Sequence, residues 1–347
     1  MKEKFKRLFK RYFIDAMGAM AQGLFASLLI GTILGTIGDQ LGVAVISQIA
    51  TYAKSTYVVG AAMAIAIGYA LKADPLVLFS LVSVGAAANE LGSAGGPLAV
   101  LIIAIIAAEC GALVSKKTKV DILVTPCVTI VVGILLSILI APPVGRAARS
   151  VGNLIMWATE LQPFFMGILV ALIIGLALTL PISSAAICAA FHLTGLAGGA
   201  AVAGCCAQMV GFAVMSFREN RWSGLVSQGL GTSMLQIGNI AKNPRIWIPP
   251  TLASMITGPI ATCLFRLQMN GAEIASGMGT CGLVGPIGVY TGWVNDVASG
   301  AKAAITAMDW IGLVLICFIL PAILSWVFGL ILRKIGWIKE GDLSLSV

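Results

Sequence analysis

Apolar residues form long runs along almost the whole chain, and short polar or proline-containing breaks separate them. A run of about 20 apolar residues is long enough to cross the hydrocarbon core of a bilayer as an α-helix. The 347 residues therefore predict an all-α, polytopic membrane protein with about ten transmembrane helices and hairpins. Glycines and a proline at 89–97 predict a helix end. The predicted spans are residues 16–38, 57–71, 76–88, 98–114, 122–141, 164–180, 196–217, 251–265 and 309–332.

The stretch from 225 to 260 is too apolar for an exposed loop and too interrupted for one ordinary spanning helix. It contains neutral amide side chains, and its Pro249–Pro250 pair predicts a helix break. Non-helical backbone at membrane depth persists only where it is buried in protein or lines a wet cavity. The stretch is therefore the best candidate for a binding element. We interpret 225–241 as a re-entrant or half-spanning segment, 242–250 as its polar hinge and 251–265 as the following span.

Other segments of the chain are also broken or amphipathic. Residues 182–192 are too few to cross a bilayer and predict a half-helix after Pro181. Residues 277–296 are apolar, rich in glycine and interrupted by Pro286, which predicts a second re-entrant element. Apolar positions recur at helical spacing within 142–162 and predict an amphipathic linker helix. The predicted organisation is a basic amphipathic N-terminus (1–15), a first membrane bundle (16–141), the linker (142–162), a second membrane part with the substrate site (163–332) and a tail (333–347).

Composition and charge agree with a membrane location. Hydrophobic residues make up 59% of the chain and charged residues 10%, against about 25% charged residues in soluble domains. The net charge of +8 is concentrated in the first eleven residues, at 116–119 and after the last apolar run. The positive-inside rule therefore predicts that both termini are cytoplasmic. We interpret the N-terminal cluster as an interfacial topology signal rather than a nucleic-acid site, and no cleavable signal peptide is recognisable.

Several kinds of chemistry have no signal in the sequence. Eight cysteines show no CxxC spacing and lie mostly in apolar runs, which favours packing in a reducing environment over metal binding. No nucleophile–base pair, Walker motif or dinucleotide fingerprint is recognisable, so neither a self-contained enzyme nor a cofactor is predicted.

Candidate binding residues lie where helices are predicted to break. Neutral amides donate and accept hydrogen bonds, which suits sugars, polyols or neutral acids, although in lipid they also join helices. Serines at a half-helix start bind electronegative atoms or simply cap the helix. Glu90 either accepts a hydrogen bond from a substrate hydroxyl, takes up a proton, or simply reaches water at a loop. His192 either binds a substrate hydroxyl or caps a helix end. The predicted substrate-binding residues are Asn89, Glu90, Ser183, Ser184, His192, Gln228, Gln236, Asn239 and Asn243.

Short motifs along the chain resemble a known family. LPISSAAI (180–187), KNPRIWIPPTLAS (242–254) and GMGTCGLVGPIG (277–288) look like segments of IIC-like membrane proteins once labelled toxin or perfringolysin regulators. The run from 121 to 181, with its prolines and amphipathic linker, resembles the membrane-embedded IIC component of the bacterial phosphotransferase system. The resemblance covers most of the chain.

This resemblance implies a homodimer in the bacterial plasma membrane that holds a sugar-type solute in an occluded site and moves it by an elevator-like shift. It also implies separate cytoplasmic IIA and IIB proteins as partners. Glucose-type IIC proteins are expected to have a His after the span equivalent to 164–180 and a Glu-Pro pair near the hinge. This chain has PISS (181–184) and QIGN (236–239) there. Two roles are therefore open. One is transport of the solute without modification, and the other is that of the membrane subunit of a phosphoenolpyruvate-dependent sugar phosphotransferase.

Three hypotheses of function follow. The leading one is a permease for a small polar solute, a sugar or a sugar derivative. The second is a membrane sensor or regulator that binds a solute or a cytoplasmic partner without transport, since the expected His and Glu-Pro pair are missing. A channel is the weakest of the three, because no repeated pore-lining pattern is recognisable.

Overall fold

The computed structural model describes Leu8 and residues 10–345 of the chain. Much of the predicted basic N-terminus, 1–15, lies outside the described residues. Within the described range the regular elements are helices, apart from one isolated β-bridge between Gly195 and Met269. Five helical segments of this range are long and apolar enough to cross a membrane, which agrees with an all-α membrane protein but is fewer than the roughly ten transmembrane helices and hairpins predicted. They are Lys10–Asp39, Pro75–Val114, Asp121–Thr159, Gly195–Met215 and Ala307–Lys334.

The chain divides into two compact units, Met1–Arg149 and Ser150–Val347. One helix, Asp121–Thr159, runs across the division and contains Pro142–Pro143 in its interior. Residues 142–159 of the predicted amphipathic linker helix, 142–162, form the C-terminal part of this helix. A proline removes one backbone hydrogen bond and often bends a helix, but the bonds on either side remain, so the helix continues.

The first unit is a bundle of apolar helices. They are α1 (Ala16–Leu24), α2 (Ile30–Leu41), α3 (Ala44–Ala53), α4 (Thr56–Ala70), α5 (Pro75–Gly92), α6 (Gly96–Val114) and most of α7 (Asp121–Thr159). A Cβ on Gly60 or on Gly85 would collide with the carbonyl oxygen of the other residue. Helices α4 and α5 therefore pack backbone to backbone, which small residues permit. Helix α5 ends at Gly92 as the 89–97 segment predicts, and one 3₁₀ turn, Ser93–Gly95, precedes α6.

An ion pair connects two loops of the first unit. The carboxylate of Asp74, in the turn before α5, accepts hydrogen bonds from the Lys116 ammonium and from the Ser115 hydroxyl, the latter at 2.9 Å. These two hydrogen bonds lower the pKa of the Asp74 carboxyl from its ordinary value of 3.8. The loop before α5 and the loop after α6 therefore lie together.

The second unit has a closely packed helical core. Its helices are α8 (Pro163–Thr179), α9 (Ser184–Ala190), α10 (Gly195–Met215), α11 (Phe217–Val226), α12 (Ile237–Lys242), α13 (Ile248–Pro259), α14 (Val284–Ala298), α15 (Ala307–Val314) and α16 (Leu320–Lys334). A Cβ on Gly204 of α10 would meet the backbone of Ala171 in α8, and one on Gly258 of α13 would meet Gly167. Small residues thus bring α8, α10 and α13 into close contact.

Short turns occupy the segments that the sequence predicts to be broken. The 182–192 segment contains the short helix α9, as predicted. The 225–250 and 260–283 regions alternate between short helices and single turns. The π-helical turns are Ser227–Gly231 and Ile260–Leu264, and the 3₁₀ turns are Ser233–Gln236, Pro244–Trp247, Glu273–Gly277 and Cys281–Leu283.

The prolines of these segments begin helices instead of breaking them. Pro249–Pro250 lies in the first turn of α13, and Pro286 lies in the first turn of α14. The first N–H groups of a helix have no intrahelical partner, so a proline there costs no hydrogen bond. The predicted break at Pro286 is therefore wrong. The chain turns just before it, where Gly282 and Leu283 have φ angles of +52° and +60°.

Candidate functional site

Three buried amide side chains form a hydrogen-bonded series in the second unit, which we name the amide cluster: Gln228, Gln236 and Asn239. Gln236 Nε2 donates to Gln228 Oε1 at 2.9 Å, and Asn239 Nδ2 donates to Gln236 Oε1 at 2.8 Å. Gln228 Nε2 donates in turn to the Ser216 hydroxyl at 2.8 Å and to the Gly224 carbonyl at 3.0 Å. Three of the predicted binding residues are therefore brought together.

The backbone break is what allows the amide cluster to form. In a continuous helix the eight residues from Gln228 to Gln236 would span about 12 Å, too far for a direct hydrogen bond. Thr232 is instead extended, with φ −159° and ψ 143°, and its hydroxyl accepts a hydrogen bond from the Met234 N–H that starts the next turn. The chain thus turns between the two glutamines, and their side chains meet.

The C-terminal tail, residues 337–345, lies against the amide cluster. The Leu343 carbonyl accepts hydrogen bonds from Gln236 Nε2 at 3.0 Å and from Asn220 Nδ2 at 2.8 Å. The Ser344 carbonyl accepts from Asn239 Nδ2 at 2.8 Å. The Leu343 side chain is fully buried and anchors this contact.

A fourth predicted residue, Asn243, also binds the tail. Its Nδ2 donates to the Trp337 carbonyl at 2.9 Å and to Asp342 Oδ2 at 2.7 Å. The guanidinium of Arg245 lies 5.0 Å from the centre of the Trp337 ring, a cation–π distance. The polar hinge predicted at 242–250 is therefore a docking surface for the end of the chain.

Every amide N–H of the cluster is engaged. Gln228, Gln236 and Asn239 each carry two N–H donors, and each of the three amide nitrogens makes two hydrogen bonds. The tail accepts one bond from Gln236 and one from Asn239. Removing the tail would therefore leave two directed donors for another acceptor, such as a solute hydroxyl.

A second buried polar group lies between α8, α10 and α13. Thr179 and Ser233 hydroxyls are 2.8 Å apart, and the Trp247 indole N–H donates to Gln208 Oε1 at 2.9 Å. Gln208 Nε2 contacts the Thr251 hydroxyl at 3.4 Å. Gln208 was not predicted as a site residue, although a lone amide within the small and apolar residues of 195–215 is a usable signal.

An ion pair that was not predicted from the sequence joins α11 and α16. Glu219 Oε1 accepts a hydrogen bond from Arg333 Nη2 at 2.7 Å, and the Glu219 side chain is only 4% exposed. Its second oxygen, Oε2, has no hydrogen-bond partner among the described residues. Glu219 precedes Asn220, which holds the tail. A buried carboxylate beside the amide cluster is a functional candidate because burying its charge is costly.

The half-helix residues bind elsewhere in the second unit. The Ser183 hydroxyl accepts a hydrogen bond from the Ala186 N–H at 3.2 Å and thus caps α9. The buried Ser184 hydroxyl donates to the Gly277 carbonyl at 2.7 Å, so α9 rests on the turn Glu273–Gly277. His192 is exposed, and its Nδ1 lies 2.6 Å from Glu273 Oε1. Ser184 and His192 therefore join two broken segments of the sequence, whereas Ser183 bonds within its own segment.

The two remaining predicted residues lie in the first unit. Asn89 is buried, and its Nδ2 donates to the Thr56 carbonyl at 2.8 Å. Glu90 is exposed and accepts a hydrogen bond from the Tyr57 hydroxyl at 2.7 Å. Both therefore have partners on helix α4 of their own unit.

The long apolar helices of the described residues indicate a multi-pass membrane protein. Within that class, residues 14–345 match the sequence model of the family described as phosphotransferase system, EIIC. The chain belongs to this family, which makes it a membrane component of a transport system. No curated protein matches the chain.

Proposed function

We propose that the chain is a permease for a small polar solute, a sugar or a sugar derivative, and that the amide cluster is its binding surface. The observation that supports this is the meeting of Gln228, Gln236 and Asn239 at a backbone break. Amides both donate and accept, as hydroxyl groups do, so a short series of them matches a polyhydroxylated solute. The other six residues of the expected site stay predictions.

Loading of the solute requires that the tail leave the amide cluster. The carbonyls of Leu343 and Ser344 accept hydrogen bonds from two N–H groups that would otherwise donate to a solute hydroxyl. We infer that the tail closes the site in the unloaded protein and that an elevator-like movement of one part against another carries the loaded solute. A homodimer with both termini in the cytoplasm completes this proposal.

The proposed activity is transport without chemical change of the solute. The chain has Pro181 and Ser183 where glucose-type relatives are expected to place a His, and Gln236 to Asn239 where they place a Glu-Pro pair. Neither segment offers a carboxylate or imidazole to assist phosphoryl transfer. Separate cytoplasmic IIA and IIB proteins, the partners that a phosphotransferase requires, are then not needed for uptake.

Uptake into proteoliposomes tests this proposal. Purified protein is reconstituted and offered a radiolabelled panel of sugars, polyols and sugar acids, without phosphoenolpyruvate. We expect at least one solute to accumulate inside. Gln236→Ala should lower this uptake about tenfold, which corresponds to about 1.4 kcal/mol.

The exposed Gln162 provides a matched control, since Gln162→Ala makes the same chemical change outside the amide cluster. Its uptake should equal that of the unaltered protein. Size-exclusion profiles of all three proteins exclude misfolding as the cause of a loss. A folded protein that moves no member of the panel would refute the permease.

A sensor or regulator is the second candidate, and the docked tail favours it. A solute that took the N–H groups of Gln236 and Asn239 would release residues 337–345 for a cytoplasmic partner. The two functions are separable by experiment. A regulator would release its tail to proteases when a solute binds, yet would move none of the solute, whereas a permease would show uptake.

A further inference from the structure

A polar pocket lies in the second unit, formed by residues outside the amide cluster. Its volume is about 330 Å³, within the range of roughly 300 to 1,000 Å³ of small-molecule sites. Trp293 supplies an apolar wall. The charged and amide side chains that line it are Arg266, Gln268, Asn270, Asp296, Lys302 and Asp309.

One side of the polar pocket is held in place by bonds within the protein. Lys302 Nζ donates to Asp309 Oδ1 at 2.8 Å and lies 5.7 Å from the centre of the Trp293 ring. The other oxygen of Asp309 accepts hydrogen bonds from the N–H and hydroxyl of Thr306, both at 2.8 Å. The Lys302 ammonium is therefore fixed before any ligand arrives.

The opposite side retains unused hydrogen-bonding capacity. Asn270 Nδ2 donates to Asp296 Oδ2 at 2.8 Å and to Gln268 Oε1 at 3.3 Å. Among the described residues no partner bonds to Asn270 Oδ1, Asp296 Oδ1 or Gln268 Nε2. Two acceptors and an amide donor thus line one cavity. Arg266 adds a further donor and has a positive φ of +46°, a backbone conformation that is uncommon outside functional or turn positions.

The charges of the polar pocket identify the class of its ligand. Arg266 and Lys302 contribute two positive charges, and Asp296 and Asp309 contribute two negative charges, so the formal sum is zero. A site for an anion would have an excess of positive charge. Donors and acceptors in similar number instead match hydroxyl groups, each of which donates one hydrogen bond and accepts others.

We propose that the polar pocket is a second binding site, which takes a neutral polyhydroxylated solute of monosaccharide size. Asn270 and Asp296 accept the solute hydroxyls, and Gln268 and Lys302 donate to them. This site goes beyond the permease function, because it requires neither movement of the tail nor transport.

Calorimetric titration of the purified full-length protein tests the proposal. The probes are D-glucose and D-mannitol, with D-gluconate as a charged comparator. We expect saturable binding of at least one neutral probe and weaker binding of gluconate, because its carboxylate would approach Asp296. Asn270→Ala, Asp296→Asn and Gln268→Ala should each raise the dissociation constant of the neutral probe about tenfold or more.

Two controls make the result specific. Asn153→Ala removes an exposed amide elsewhere in the same unit and should leave the dissociation constant unchanged. Thermal unfolding of each variant establishes that it folds, and Gln268→Ala is the most conservative, since its side chain makes a single hydrogen bond of 3.3 Å.

Each alternative result overturns the proposal. If neither neutral probe binds, the polar pocket is not a binding site. If gluconate binds more tightly than both, the polar pocket is not a site for neutral solutes. Neutral binding that survives all three variants but is lost in Gln236→Ala assigns the solute to the amide cluster alone. Because uptake is not measured here, failure of the polar pocket leaves the permease proposal standing, and failure of uptake leaves the polar pocket standing.

Discussion

The amide cluster and the polar pocket lie in the same unit but satisfy their polar atoms in opposite ways. The cluster is uncharged, and all its amide N–H groups are bonded, two of them to the tail. The polar pocket has four charged side chains that balance in sign and, on the wall formed by Asn270 and Asp296, acceptors without a described partner. The cluster must therefore be opened to bind a solute, whereas the polar pocket is open as it stands.

The difference teaches that a buried polar residue is not by itself a vacant site. Gln236 was predicted as a binding residue because an amide both donates and accepts hydrogen bonds, which suits a sugar-type solute. Its hydrogen bonds are instead made within the protein, and one of them goes to a main-chain carbonyl of the same chain. A ligand binds the amides only if its interactions with them are more favourable than those of the tail. Substitutions in the amide cluster and in the polar pocket measure the contributions of the two regions separately.

The largest difference in stability between the two regions is expected when one partner of an ion pair is replaced in each. Arg333→Met leaves the buried Glu219 without its cation, which should lower the free energy of unfolding by about 3–5 kcal/mol. Lys302→Met in the polar pocket should cost only about 1–2 kcal/mol, since Asp309 keeps both bonds from Thr306. Denaturant titration of the purified protein measures both. Combining Arg333→Met with Glu219→Gln should recover part of the lost free energy of unfolding. If Arg333→Met and Lys302→Met cost the same, the two regions do not differ in this respect.

Gln236→Ala should have the next largest effect on stability. It leaves Gln228 Oε1 and one Asn239 N–H without a partner and removes one of the two hydrogen bonds to the Leu343 carbonyl, at a cost of roughly 2–3 kcal/mol. The same denaturant titration reads this cost. Gln162→Ala, at an exposed position, should change the free energy of unfolding by less than about 0.5 kcal/mol. A Gln236 variant as stable as this control would mean that the amide cluster is not a structural unit.

Deleting residues 337–347 should free the two donors and strengthen solute binding. We expect the dissociation constant of a transported solute to fall about tenfold, equivalent to about 1.4 kcal/mol. Ser344→Ala is the matched control, because the tail bonds through the Ser344 carbonyl and not through its side chain. Weaker binding after the deletion, in a protein that remains folded, would show that the tail belongs to the site instead of closing it.

The smallest effect on stability is expected in the polar pocket. Gln268→Ala removes one long hydrogen bond at an exposed position and should cost less than about 0.5 kcal/mol. Thermal unfolding beside Asn153→Ala checks this expectation. A large loss of stability would show that the Gln268 wall is structural and would make the two regions alike.

The sequence predicted the membrane helices because apolar runs determine which segments enter a bilayer. It also predicted the helix end at Gly92, the short helix within 182–192 and the interruption of the helix within 225–241. Its error at Pro286 has a simple cause. A proline marks a boundary but not on which side of it the helix lies. The structure places Pro286 and Pro249 in the first turns of α14 and α13, and most of each helix follows them.

The tail contact was not predictable from side-chain chemistry. Leu343 and Ser344 bind the amides through main-chain carbonyls, which every residue possesses, so no sequence pattern marks them. The polar pocket was missed for a related reason. Asn270 lies in a loop and Asp296 near the end of α14, 26 positions apart, and only the fold brings them to one cavity.

Hydrogen–deuterium exchange of residues 337–347 tests the central claim most directly, that the amide cluster holds the solute and the tail closes it. The reconstituted protein is compared with and without the solute that it takes up. The account predicts faster exchange at the Leu345 N–H, which donates to Asn220 Oδ1 at 2.8 Å in the closed state, and no such change in Gln236→Ala. Uptake that leaves the protection of the tail unchanged, and is equally fast in Gln236→Ala, would contradict it.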